Sequence, residues 1–228
     1  MQNGQRINIY SIFRSINGEI CRPGQGSWAT FIRFCGCNLR CKWCDTVYAQ
    51  EVDPNVRTKS MTVDFIMSQV EKLGCKNVTI TGGEPLMQRN GLNELLQALL
   101  VNNYRVSVET NGSYPVINNF IDVPISWVVD YKLPSSGENA QMALIKPWSQ
   151  LTADDFIKFV IKDRADYDGA LATVGRLWAE GIKATMVFSP ILDTLSVNQL
   201  CDWMQENQLF SIIVSLQLHK LTKLREEG

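Results

Sequence analysis

Cys37, Cys41 and Cys44 lie in the run Cys37-Asn-Leu-Arg-Cys41-Lys-Trp-Cys44-Asp-Thr, which packs three thiolates into eight residues. Structural zinc and ordinary electron-transfer clusters take four protein ligands. Three thiolates on a cubane cluster leave one iron open, and an open coordination position is where a substrate or cosubstrate binds. A zinc knuckle that borrows a distant ligand is the other reading, although zinc sites usually come as paired Cys/His hooks. Cys35 competes for ligation, but Cys35-Gly-Cys37 would set two thiolates very close together. Cys21, Cys75 and Cys201 read as small hydrophobes. A second chemical element is Thr81-Gly82-Gly83-Glu84-Pro85, where two glycines close an apolar run and let the backbone approach a ligand.

Positioning these loops requires a frame, and the chain supplies one by alternation. Strands are expected at Ala29–Phe34, Asn77–Thr81, Arg105–Glu109, Ser126–Tyr131, Ile157–Ile161, Ala184–Phe188 and Ser211–Leu216. Helices are expected at Thr62–Leu73, capped by Gly74, and at Leu92–Val101, Tyr167–Ala179 and Val197–Glu206. Strands separated by helices imply parallel β-α units with right-handed crossovers. The expected fold is therefore α/β, an open or incomplete (β/α) barrel with its site at the C-terminal strand ends. The cysteine run, Gly82-Gly83, Thr110-Asn111-Gly112, Lys132-Leu-Pro-Ser-Ser136 and Ser189-Pro190 all follow such ends. With no repeat, low-complexity segment or linker, residues 1–228 read as one domain. Lys158 and Lys162 read as solvent-facing alternation on the fifth strand, and the single histidine, His219, follows the last one.

The Cys-x3-Cys-x2-Cys spacing, with Trp43 before its last cysteine, resembles the radical S-adenosylmethionine (SAM) superfamily. Gly82-Gly83-Glu84-Pro85 resembles that superfamily's SAM-binding turn. The resemblance implies a modified, incomplete barrel and a 4Fe–4S cluster on Cys37, Cys41 and Cys44. The open iron would chelate SAM, and transfer of one electron to the sulfonium would release a 5'-deoxyadenosyl radical. Ser15-Ile-Asn17-Gly18-Glu19, Arg33, Asp45-Thr46, Glu109-Thr-Asn-Gly112, Asp130-Tyr-Lys132 and Gln217-Leu-His219-Lys220 together look like the 7-carboxy-7-deazaguanine synthase family, over nearly the whole chain. That family contracts the ring of 6-carboxy-5,6,7,8-tetrahydropterin with loss of ammonia, for queuosine and related deazapurines. Membership implies that Ile16, Asn17, Gly18, Glu19, Thr81 and His219 face the pterin and that Arg33 pairs its carboxylate. It implies magnesium on Thr46 and SAM contacts at Gly82, Gly83, Glu84, Asp130, Tyr131 and Lys132. Ser189, Pro190, Ile191 and Leu192 would lie on the adenine side. It further implies a homodimer and a reducing donor such as a flavodoxin or ferredoxin. Three positions depart from the family pattern. Gln-Gly-Glu-Gly is here Asn17-Gly18-Glu19-Ile20, and Ser-x-Lys is Asp130-Tyr131-Lys132.

The cluster and the Gly-Gly turn are shared with activating enzymes of glycyl-radical proteins, which act on a protein partner and have no use for a pterin clamp. A non-catalytic metal-binding module is the other alternative. A net charge of -1 gives no basic face for nucleic acid. No apolar run has the length of a membrane span, and the first residues lack a signal-peptide core. Seven cysteines without a secretory signal fit a reducing compartment, so the cytoplasm is expected.

Overall fold

The computed structural model describes residues 5–53, 55, 58–116, 125–144 and 148–222. Its strands are β1 (Arg6–Ile16), β2 (Trp28–Phe34), β3 (Lys59–Thr62), β4 (Asn77–Gly82), β5 (Arg105–Thr110), β6 (Ile125–Tyr131), β7 (Phe156–Ile161), β8 (Thr185–Pro190) and β9 (Ile213–Val214). The helices are α1 (Val63–Leu73), α2 (Arg89–Val101), α3 (Arg164–Ala179), α4 (Val197–Glu206) and α5 (Leu218–Thr222). All described strands join one unclosed sheet in the order β3-β1-β2-β4-β5-β6-β7-β8-β9. Pairing is antiparallel for β1 with β2 and with β3, and parallel from β2 to β9.

Strand alternation divides the sheet into two unlike faces. One face carries Ile32, Ile80, Val108, Trp127, Ile157 and Phe188, which pack in the main core beneath the helices with Leu92, Leu95, Leu99 and Leu177. The opposite face carries Arg33, Thr81, Glu109, Asp130 and Lys158, which line a single cavity. Apolar residues floor that inner face. Val128, Phe156 and Val187 cluster under Ile20, while Phe13 and Phe31 stack at 5.2 Å beside Ala29.

The four expected helices form, three of them with side-chain caps. Thr62 accepts from the Phe65 amide at 3.3 Å, and Gly74 takes the left-handed conformation that ends α1. Asp163 and Ser196 cap α3 and α4 in the same way. Two differences stand out. The long β1 and short β3 extend the sheet beyond the expected first strand, and β9 is only Ile213–Val214. Past Ser215, whose amide still donates to Phe188 at 2.9 Å, the backbone leaves the sheet, and the Leu218 amide donates to Gly18 at 2.8 Å.

Leu95 is fully buried on α2, whereas Val101 at its end is 81% exposed. Leu95→Ala should cost about 2–5 kcal/mol in denaturant unfolding. Val101→Ala should stay within about 0.5 kcal/mol of the parent.

Candidate active site

The cysteine run leaves β2 and is fastened on several sides. The Cys35 amide donates to Asn8 at 2.9 Å, Gly36 to Ala49 at 2.9 Å and Cys37 to Gln50 at 2.9 Å. Lys42 N–H reaches Ser136 at 3.0 Å, and Trp43 Nε1 donates to Ser135 Oγ at 3.2 Å. These bonds bring Cys37, Cys41 and Cys44 to one cavity mouth. Burial pushes the Cys41 thiol up to about 11, partly offset by Lys132, and Cys41 also feels Cys44 and Cys37. Cys37 is likewise raised by burial, although Asn111 Nδ2 donates to its sulfur at 3.5 Å. These are three half-buried thiols on one loop beside a lysine, the soft donor type that an iron–sulfur cluster takes. Cys35 faces elsewhere, bonded to Thr58 Oγ1 at 3.1 Å and packed on Tyr10 and Ala49.

The Gly82-Gly83 turn lies against this loop more closely than against any open space. A β-carbon on Gly82, at φ +131°, would sit 2.2 Å from the Phe34 carbonyl oxygen. One on Gly83 would sit 2.0 Å from the Gly36 carbonyl oxygen. The glycines are therefore needed first for backbone packing, while their remaining edge lines the cavity. Glu84 is fully buried behind the wall. Its carboxylate accepts from Leu86 N at 2.8 Å, Thr110 Oγ1 at 2.8 Å and Asn111 N at 2.6 Å. Burial pushes it up to about 7 against those three donors.

A chain of buried charges spans the inner face. Lys132 Nζ pairs with Asp130 Oδ2 at 2.8 Å and lies 5.3 Å over the Trp43 ring. Lys158 Nζ pairs with Asp130 Oδ1 at 3.1 Å and with Glu19 Oε2. Gln217 Nε2 donates to Glu19 Oε1 at 2.7 Å, and Thr81 Oγ1 donates to Glu109 Oε2 at 2.6 Å. Burial opposes charge on Lys158, but Asp130, Glu19 and Glu109 outweigh it and hold the ammonium well above its ordinary value. Asp130 is held low because Lys132 and Lys158 outweigh its burial. Burial and the nearby Glu19 raise Glu109. Arg33 lies between two aromatic rings, 5.9 Å from Phe13 and 5.8 Å from Tyr48.

Of the residues singled out by sequence, Ile16, Gly18, Glu19, Arg33, Thr46, Thr81, Gly82, Gly83, Asp130, Lys132 and Ile191 line the cavity with the three cysteines. Others lie apart from it. Asn17 turns into the wall, where Thr79 Oγ1 donates to its Oδ1 at 2.7 Å and its Nδ2 donates to Ser27 at 2.9 Å. Tyr131 faces the outer core against Trp148 and Phe159. Pro190 ends β8, and Leu192 is not among the lining residues. Ser189 is buried, and its hydroxyl has no hydrogen-bond partner among the described residues. It pairs in register with Val160, which lines the cavity. The side chain of His219 lies outside the described residues. Lys158, which strand alternation alone turns toward solvent, is buried within the charge chain. Glu109 and Gln217 also line the cavity, and both stand in the motifs that carry the resemblance.

A model of the radical SAM superfamily matches residues 31–129. The 7-carboxy-7-deazaguanine synthase of Clostridium acetobutylicum is 40% identical over 212 residues, 92% of this chain and 92% of that protein. The synthase of Koribacter versatilis is 34% identical, spanning 94% of this chain and 96% of that protein. Among solved structures, QueE from Escherichia coli matches with a TM-score of 0.71 at 22% identity, over 93% of this chain and 94% of that chain. A radical SAM methyltransferase from Sphaerobacter thermophilus matches at 0.58 and 13% identity, covering 90% and 76%. At those identities the two structures speak for the fold alone.

Glu84 offers a test of bracing against ligand contact. Glu84→Ala leaves buried donors unsatisfied, at about 1–3 kcal/mol for each. The thermal midpoint of the ligand-free protein should fall by roughly 2–4 °C per kcal/mol lost. An unchanged midpoint with weakened SAM binding would make Glu84 a ligand contact only.

Proposed function

Since the chain belongs to the 7-carboxy-7-deazaguanine synthase family of the radical SAM superfamily, we propose that it contracts the ring of 6-carboxy-5,6,7,8-tetrahydropterin to 7-carboxy-7-deazaguanine with loss of ammonia. The observation that carries this reading is that the three thiols and Arg33 line one cavity, with Thr81, Glu109, Glu19 and Gln217 beside them. Cys37, Cys41 and Cys44 would hold the cluster, with SAM over Gly82 and Gly83 and near Lys132. Cluster and SAM together supply the one-electron cleavage that starts the reaction. The protein's own part is recognition and enclosure. Arg33 offers a planar fork to the substrate carboxylate, a geometry that a lysine point charge cannot reproduce. Glu109 and Glu19 present acceptors to the N–H groups of a pterin edge, and the Gln217 carbonyl, buried with no partner among the described residues, presents another. The apolar floor under Ile20 closes the cavity below.

Magnesium on Thr46 belongs to the same proposal. The Thr46 hydroxyl lies at the cavity mouth, 3.7 Å from Cys44 Sγ, and a hydroxyl is the hard oxygen donor this ion prefers. The homodimer and a flavodoxin- or ferredoxin-type electron donor are proposed with it. Among the described residues, no helix is long and apolar enough to cross a membrane.

The direct test is anaerobic incubation of the cluster-loaded protein with the carboxytetrahydropterin, SAM and a reductant. Formation of 7-carboxy-7-deazaguanine and ammonia is expected, and SAM cleavage without that product would overturn the reading. Arg33→Ala should fold and bind SAM yet lose about 2–5 kcal/mol of substrate recognition, read from kcat/KM. Arg33→Lys should recover only part of the loss. Chelation should lower turnover, and added magnesium should restore it in the parent but poorly in Thr46→Ala. Full activity in strong chelator would remove the magnesium assignment.

A further inference from the structure

Lys158 has no role in the account of recognition just given, yet it is the most heavily engaged charge in the cavity. Its side chain is 8% exposed, at the centre of β7. The ammonium bridges Glu19, on the loop after β1, and Asp130, on β6. Glu109 on β5 adds a third carboxylate within its electrostatic reach, and Lys132 is the like charge beyond Asp130. On the far side of Glu109 stands Arg33. The cavity wall thus holds three carboxylates, and Lys158 lies within reach of all three.

We propose that Lys158 is a positioning residue that neutralises the Glu19, Glu109 and Asp130 cluster, so that the cavity can admit an anionic substrate, and that ties the Glu19 wall to the Asp130 wall. The proposal rests on the pterin reading above. An unpaired set of carboxylates beside Arg33 would compete for its guanidinium and repel the incoming carboxylate. Loss of the lysine would also remove the two ion pairs by which one ammonium joins Glu19 to Asp130. Asp130 gives the arrangement its reach, because one carboxylate binds both lysines through separate oxygens. The serine of the family pattern at this position could not offer two anionic acceptors.

Charge neutralisation predicts discrimination between ligands, which a merely structural role does not. Binding is measured by calorimetry on the cluster-loaded protein without reductant, using 6-carboxypterin and, as the probe lacking the carboxylate, pterin. In Lys158→Met the affinity for 6-carboxypterin should fall roughly tenfold or more, and that for pterin less than about threefold. Lys158→Arg keeps the charge and should retain 6-carboxypterin affinity within about threefold. Equal losses for both probes in Lys158→Met would overturn the proposal, as would no loss for either. If Lys158→Met does not fold, the arginine variant decides: a tenfold loss of 6-carboxypterin with the charge retained would overturn neutralisation. Failure of the pterin reading looks different, since the parent protein would then neither bind 6-carboxypterin nor turn over the carboxytetrahydropterin.

Discussion

The site depends on one close crossing of backbone, where Gly82 and Gly83 lie against Phe34 and Gly36. Parallel pairing of β2 with β4 runs out at Phe34 and Gly82, and two further bonds replace it. Gly83 N donates to Phe34 at 3.0 Å, and Glu84 N donates to Gly36 at 2.7 Å. Nothing larger than hydrogen fits at either glycine, because the atoms it would strike are backbone carbonyls that cannot move aside. From this crossing the fastening spreads outward. Gly36 holds Ala49, Cys37 holds Gln50, and Glu84 reaches across to Thr110 and Asn111, whose amide returns to the Cys37 sulfur. Three loops from three strands are closed into one ring of bonds. The placement of the thiols follows from that ring, not from any local preference of the cysteine run.

The inner face raises a separate problem, because Arg33, Glu109, Asp130 and Lys158 put four charged side chains where closed (β/α) barrels are filled mainly by bulky branched residues. An isolated ion there would cost several kcal/mol. Alternation of sign removes most of that cost, running from Lys132 through Asp130 and Lys158 to Glu19. Such pairs add little net stability compared with a well-packed apolar layer. What they supply is a set of fixed, oppositely charged groups inside a cavity, which suits recognition of a polar heterocycle bearing a carboxylate. The apolar layer is moved elsewhere, to the floor around Phe13, Phe31, Val128 and Phe156 and to the helix-covered outer face.

β2, the strands from β4 to β8, the four long helices and the order of the loops are legible, because parallel β-α units show two clear periods in sequence, whereas the short antiparallel β3 carries no such pattern. β1 is not legible either. Its register shifts between Ile9 and Ser11, so the inward and outward residues change parity at Tyr10 and no simple alternation survives. Lys158 was misread for a different reason. A period of two says which residues share a face but not which face meets water. In Phe156–Ile161 the apolar set Ile157, Phe159 and Ile161 lies under helices, so the lysine face reads as a surface when it is the interior of an open barrel. The Gly-Gly turn was found by sequence for a sound reason, freedom of backbone approach. Sequence could not tell that the approaching group is the chain's own Gly36.

The same geometry reorders the three departures from the family pattern. Asn17 is the one that invites concern over substrate choice, since a shorter amide reaches less far. Both ends of that amide are already engaged by Thr79 and Ser27, so it supports Ile16 and Gly18 from behind and meets nothing in the cavity. Ile20 adds bulk where Val128, Phe156 and Val187 offer an apolar nest, again outside the recognition surface. Asp130 alone lines the cavity and alters its charge. A serine there would leave two lysines facing each other across a neutral hydroxyl, whereas aspartate draws both onto one carboxylate. The electrostatic individuality of this chain therefore sits on the wall formed by Asp130, Lys132 and Lys158. Arg33, Thr81, Glu109 and Gln217, proposed above to meet the pterin, line the rest of the cavity.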